Sequence, residues 1–152
     1  MSSRETPPAA ANILAHAAER GQRMGLRYAG AVTPTEAKEL ADAGAATIVD
    51  VRTEPEYVQV GHVAGTPRIE WPRNGGPGEM QAFVEDLAGK YGKDEKLLFL
   101  CRSGVRSHYA ADLAARAGFE GAYNILEGFE GDNGAGMNGW RATGLPWKQG
   151  KD

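Results

Sequence analysis

Cysteine is almost missing from this chain: of 152 residues, only Cys101 is one. A single thiol excludes an intrachain disulfide and a multi-cysteine zinc site. The fold therefore does not depend on an oxidising compartment, and a free thiol fits a reducing, cytoplasmic one. Histidine is scarce too. His16, His62 and His108 are scattered without metal-ligand spacing, so no resident metal or cofactor is expected. Long apolar runs are absent, and nothing approaches the roughly 18 residues that mark a membrane span. The opening stretch, "MSSRETPPAAANILAHAAERG", lacks the charged start and apolar core of a secretory signal. Neither sign of charge is in large excess: 17 Lys and Arg against 20 Asp and Glu leave a net −3. That argues against a nucleic-acid or membrane partner but leaves room for a local basic pocket.

What is present is the patterning of one soluble domain. Residues 1 to 9, with Pro7 and Pro8, read as disordered, and Ala10 to Met24 as a helix. Thr33, Pro34 and Glu36 form a helix start with a capping box; Ala37, Leu40 and Ala41 give that helix its buried face, and Gly44 its stop. "ATIVDVR", 46 to 52, is short, apolar and β-branched, as a buried strand should be. The stretch 53 to 78 is irregular, with a short strand expected near Arg68–Glu70. Met80, Phe83, Val84, Leu87 and Tyr91 share one helical face. "KLLFLC", 96 to 101, is a second buried strand. A helix from Arg106 to Ala117 follows, with Tyr109, Ala110, Leu113, Ala114 and Ala117 facing inward, and "GAYNIL" is a further strand. Helices alternating with short apolar strands predict an α/β fold: a central parallel sheet of about five short strands with helices on both faces. Ligands of such sheets bind beyond the carboxyl ends of the strands, and Cys101 lies at one such end.

"CRSGVRS" gives that cysteine a chemical setting. A strand ends at Cys101, a turn follows, and a helix begins near Arg106. Unpaired N–H groups and the positive end of the dipole make a helix start an anion site. Gly104 lets successive N–H groups curl into one concavity. Arg102 and Arg106 add forked cationic donors. Ser103 and Ser107 keep the cradle small, with Ser107 able to bond to the helix start, and Val105 completes it. This setting favours a thiolate, and the same charges capture an anionic substrate. Residues 102 to 107 are thus the expected anion site around the nucleophile Cys101, with Arg106 as the chief clamp. Asp50 and Arg52 end the neighbouring strand and are expected to support the loop rather than act on substrate. His62 reads as a buried histidine bonded to backbone, and His108 as solvent-facing or as tuning the loop. Gly134, Gly136 and Gly139 spell G-x-G-x-x-G, but no long helix follows and a dinucleotide site is rejected.

Three ordered stretches resemble a known family. "CRSGVRS" resembles the active-site loop of rhodanese-type sulfurtransferases. "IVDVRTEPEYVQVGHVAGTPRIEW" resembles the family's Asp-Val-Arg strand end, Glu-aromatic pair and Gly-His-Val-x-Gly. "YNILEGFEGDNGAGMNGWRATGLPW" resembles its closing segment, with Phe129 where a second glycine is common and a longer connection to Trp140. The likeness runs from about residue 30 to 148. It suggests an N-terminal tail and extra helix over 1–27 and a rhodanese-like domain over 28–152. It implies that Cys101 attacks the outer sulfur of a small anionic donor such as thiosulfate, that sulfite leaves, and that the Cys101 persulfide passes its sulfur to cyanide, a thiol or a protein acceptor. Arginines at 102 and 106 resemble the thiosulfate-type loop. Four residues, rather than the five of cysteine phosphatases, separate Cys101 from Arg106, which disfavours a phosphatase or arsenate reductase. A persulfide carrier or protein-binding module without turnover is the alternative. A monomer or homodimer is expected.

Overall fold

Among the described residues, proline opens three of the four α-helices, where its missing N–H would have no intrahelical acceptor. A computed structural model describes residues 7–72, 75–132 and 138–151. Helix α1 spans Pro8–Met24. Pro8 and Ala9, expected in a disordered tail, are therefore helical; Pro8 sits where its fixed φ suits a first turn. Residues 1–6 of that tail, and Gly134 and Gly136, lie outside the described residues. Strand β1 is Gly30–Val32 and helix α2 Pro34–Asp42. The Thr33 hydroxyl accepts from the Glu36 N–H at 3.2 Å and the Glu36 carboxylate from the Thr33 N–H at 2.9 Å, the capping box read from sequence. Strand β2, Thr47–Asp50, leads through a π-helical turn, Glu56–Val60, to helix α3, Pro77–Lys90. Strand β3, Lys96–Leu100, helix α4, Val105–Arg116, and strand β4, Gly121–Ile125, complete the body.

The sheet is parallel throughout, in the order β1-β4-β3-β2. Among the described residues it has four strands, against the about five expected. β1 was hidden in the run-up to α2, because three residues are too few to show alternation. The segment near Arg68 makes one bridge to Asp50 rather than a strand. Proline at 67 and 72 brackets it, and proline cannot donate to a ladder.

Alternation along β3 splits the core into two layers. Leu97, Phe99 and Cys101 join Phe83 and Leu87 of α3 and Ala110, Ala111 and Ala114 of α4. Leu98 and Leu100 face the other way, toward Ala10 and Ala17 of α1 and Ala37 and Leu40 of α2. Helices thus cover both faces, as expected. Tyr109 is a correction: it is 55% exposed rather than inward. The buried arc of α4 is Ser107, Ala110, Ala111 and Ala114, at i, i+3, i+4 and i+7. These small side chains let the helix approach β3 and β4 closely, where a tyrosine ring has no room. No described helix is long and apolar enough to cross a membrane.

Candidate active site

Cys101 follows β3 directly and is 1% exposed. Two backbone bonds from a neighbouring segment hold the root of its loop. The Phe129 N–H donates to the Cys101 carbonyl at 2.8 Å, and the Glu130 N–H to the Arg102 carbonyl at 2.9 Å. The chain then turns at Gly104, whose φ of 100° places it in left-handed space that a Cβ disfavours. This turn points the Gly104 N–H at the sulfur, which accepts at 3.1 Å. The Ser107 hydroxyl lies 3.2 Å from the same sulfur. Helix α4 starts at Val105 with no side-chain cap. Its first N–H groups have no intrahelical acceptor, so its positive end lies at the cysteine loop.

Of the expected loop residues 102 to 107, Gly104 and Ser107 reach the thiol, and the arginines have partners of their own. Arg106 donates through both terminal nitrogens to the Glu56 carboxylate, at 2.8 Å each. Burial alone would raise the Glu56 pKa; the Arg106 guanidinium and the Thr53 N–H and hydroxyl overcome it and hold the carboxyl at about 2. In return Glu56 raises the Arg106 pKa against the effect of burial, with Cys101 and Asp50 adding to the rise. Arg102 is largely exposed and lies 3.5 Å from the Glu130 carboxylate. Glu130 is in turn 3.9 Å from Arg141.

Asp50 and Arg52 pair chiefly with each other. The Arg52 Nη2 donates to Asp50 Oδ2 and to the Gly61 carbonyl, at 2.7 Å each, and both residues are fully buried. The hydrogen bonds of this pair thus fix the Gly61 turn rather than the cysteine loop itself. Arg52 Nη1 has no hydrogen-bond partner, but its guanidinium lies 4.6 Å from the Phe129 ring centroid. The aromatic face takes the place of an acceptor. Phe129, where the resembled pattern commonly has glycine, thereby links the buried ion pair to the carbonyl of Cys101.

His62 is fully buried, with Nδ1 2.9 Å from the Tyr57 carbonyl and its ring stacked on Tyr57. His108 has its Nδ1 2.7 Å from the Tyr28 hydroxyl. Ser107 does not bond to the helix start as expected; its hydroxyl donates to Asn124 Oδ1 at 2.5 Å. The Asn124 Nδ2 donates to the Gly104 carbonyl at 3.1 Å.

Glu56, Asn124 and Tyr28 went unassigned in the sequence. Asn124 carried a signal: a polar residue inside the buried run "AYNI". In β4 it shares the face of Ala122, toward α4. Glu56 stands in the Glu-aromatic pair but gives no local sign of its partner 50 residues away.

A recessed thiol at the carboxyl end of a central parallel strand, in a glycine turn that opens a helix, defines an α/β domain with a cysteine loop at its sheet edge. A model of the rhodanese-like domain matches residues 33–135, and the chain belongs to that family. It is 36% identical over 110 residues to the uncharacterized protein RP600 of Rickettsia prowazekii, covering 68% of this chain and 83% of that protein. It is 31% identical over 124 residues to the chloroplastic thiosulfate sulfurtransferase 16 of Arabidopsis thaliana, covering 80% and 95%. Among solved structures, the crystal structure of Rv0390 from M. tuberculosis superposes with a TM-score of 0.69 at 41% identity, covering 81% of this chain and 99% of that one. The relatives thus include sulfurtransferases.

Proposed function

We propose that the protein is a sulfurtransferase that moves a sulfane sulfur from thiosulfate, or a related anionic donor, to a thiophilic acceptor through a persulfide on Cys101. The observation that carries this reading is the sulfur itself, recessed at the carboxyl end of β3 with the Gly104 N–H on it and the start of α4 beside it. In the first half-reaction the Cys101 thiolate attacks the outer sulfur of the donor. The S–S bond of thiosulfate breaks, and sulfite leaves with the bonding pair. No general acid is needed, because the leaving group is already a stable anion. In the second half-reaction the acceptor attacks the outer persulfide sulfur and regenerates the thiolate. Residues 102 to 107 supply the cradle around the anion, with Arg106 at the loop end and Asp50 and Arg52 as support behind it. The cytoplasm suits a free catalytic thiol. The resemblance supports this role for Cys101 and the loop, and the named sulfurtransferase relative supports the reaction class.

One observation favours a second reading, that of a persulfide carrier loaded by another protein. Both loop arginines already face carboxylates, Arg106 on Glu56 and Arg102 on Glu130. Their charge is partly spent before a dianion arrives. Steady-state turnover with thiosulfate and cyanide separates the two. An enzyme turns over, and Cys101→Ser abolishes the activity. A carrier shows negligible turnover yet loads from a protein persulfide. A phosphomonoester assay run alongside is expected to show no hydrolysis.

A further inference from the structure

The hydroxyl of Ser107 has one hydrogen, and two neighbours compete for it: the Cys101 sulfur at 3.2 Å and Asn124 Oδ1 at 2.5 Å. The orientation of Asn124 decides between them. Its other side faces the Gly104 carbonyl, which can only accept, so Nδ2 must point there and Oδ1 must point at Ser107. A flipped amide would set two oxygens against each other. An amide oxygen is only an acceptor, so Ser107 must donate to it. The serine oxygen is then left with lone pairs toward the sulfur.

Burial pushes the pKa of the nearby Tyr28 hydroxyl up to about 12, against the lowering effect of the Asn124 amide. The Tyr28 hydroxyl is 2.7 Å from His108 Nδ1. Asn124 and Ser107 are buried, and Tyr28 and His108 line a cavity of about 280 Å³ behind the loop. Donors then follow one another from Cys101 to Ser107, from Ser107 to Asn124, and from Asn124 to the Gly104 carbonyl. Such a chain is self-reinforcing.

We propose that Asn124, oriented by the Gly104 carbonyl, holds Ser107 as the acceptor of the Cys101 thiol hydrogen rather than as a donor to the thiolate. The Gly104 N–H and Ser107 thus pull in opposite directions, the amide toward the thiolate and the serine toward the thiol. Turning the Ser107 hydrogen to a thiolate would leave a buried amide oxygen short of a partner, so Ser107 keeps its lone pairs on the sulfur. Asn124 is a positioning residue for the nucleophile. The inference rests on Cys101 being the reactive group but not on which donor loads it.

The test is the pH profile of Cys101 alkylation by iodoacetamide, which needs no sulfur donor and so fails or succeeds independently of the proposed reaction. Arg106 of α4 interacts with the same sulfur and is itself faced by Glu56 of the π turn and Asp50 of β2. Arg102 and Glu130 flank the loop on the surface side, and His108 faces Tyr28. All of these stay in place in the variants. Ser107→Ala removes an acceptor from the thiol, so the profile moves to lower pH and the rate on its acid limb rises roughly 3- to 10-fold. Asn124→Leu frees the Ser107 hydrogen for the sulfur and moves the profile the same way. A Ser107→Ala profile that moves to higher pH, or does not move, overturns the proposal; so does an unmoved Asn124→Leu profile. A loop merely loosened by substitution would change the plateau rate without moving the profile, and that outcome also counts against it.

Discussion

Glu56 is the residue whose charge state the site most visibly sets. Its carboxyl is held at about 2, below the usual 4.5, through Arg106 and Thr53. A carboxylate with a depressed folded-state pKa stabilises the native state fully above its unfolded value, and this contribution is lost as pH falls toward the folded one. The melting temperature of the wild-type protein should therefore fall between about pH 4.5 and 2. Glu56→Gln should start lower at neutral pH and show a shallower fall over that window, in thermal scans at stepped pH. An unchanged slope would mean that Arg106 is not held by this carboxylate. Gly104→Ala tests the turn. A Cβ at its φ of 100° is strained, by about 1–2 kcal/mol, and relief of that strain re-aims the N–H now on the sulfur. A modestly lowered melting temperature with a disproportionate loss of alkylation rate is expected. Cys101, Gly104 and Ser107 were legible because a strand, a glycine and a helix start lie within seven consecutive positions. Their partners were not. Asn124 is 17 positions from Ser107, Glu56 is 50 from Arg106, and Tyr28 is 80 from His108, so only the fold brings them together.

The helices were legible for physical reasons that act locally: a capping box at Thr33, prolines at first turns, and apolar residues at helical spacing. β2, β3 and β4 announced themselves as buried apolar runs. β1 did not, because its identity lies in its pairing with β4 and in what packs on it. Gly30 is the key to that packing. A Cβ there would fall on the Ala17 carbonyl of α1, so the helix and the strand touch backbone to backbone. Arg20 locks the same contact, donating to the Ala31 carbonyl at 2.6 Å and to Glu36 of α2 at 2.9 Å. Gly30→Ala should displace α1 and cost about 1–3 kcal/mol by overpacking. Denaturant unfolding measures this directly, and a wild-type midpoint would show that α1 is not seated as described. The outward turn of Tyr109 has a related cause: alanine and serine carry the buried face of α4, and the apolar count alone did not reveal which arc lay inside.

At the scale of the molecule, the parallel sheet brings the ends of β2, β3 and β4 to one edge and sets the cysteine there, as doubly covered sheets do. α1, N-terminal to the matched family region, packs on the edge strand β1 and contributes Ala10 and Ala17 to one core layer. Deleting residues 1–25 should therefore lower the melting temperature and bring concentration-dependent aggregation through the uncovered edge. A truncated chain with unchanged stability and only altered activity would show that α1 serves partners instead. The fold class was readable from the alternation of elements; the strand order was not, since no local feature of β1 shows that it pairs with β4 rather than with β2. The most direct measurement concerns the nucleophile. Intact-protein mass spectrometry after incubation with thiosulfate and removal of the donor should show one added sulfur atom per chain, lost on addition of cyanide and absent from Cys101→Ser. A wild-type mass that stays unchanged, or an added sulfur that persists in Cys101→Ser, would contradict persulfide transfer at Cys101.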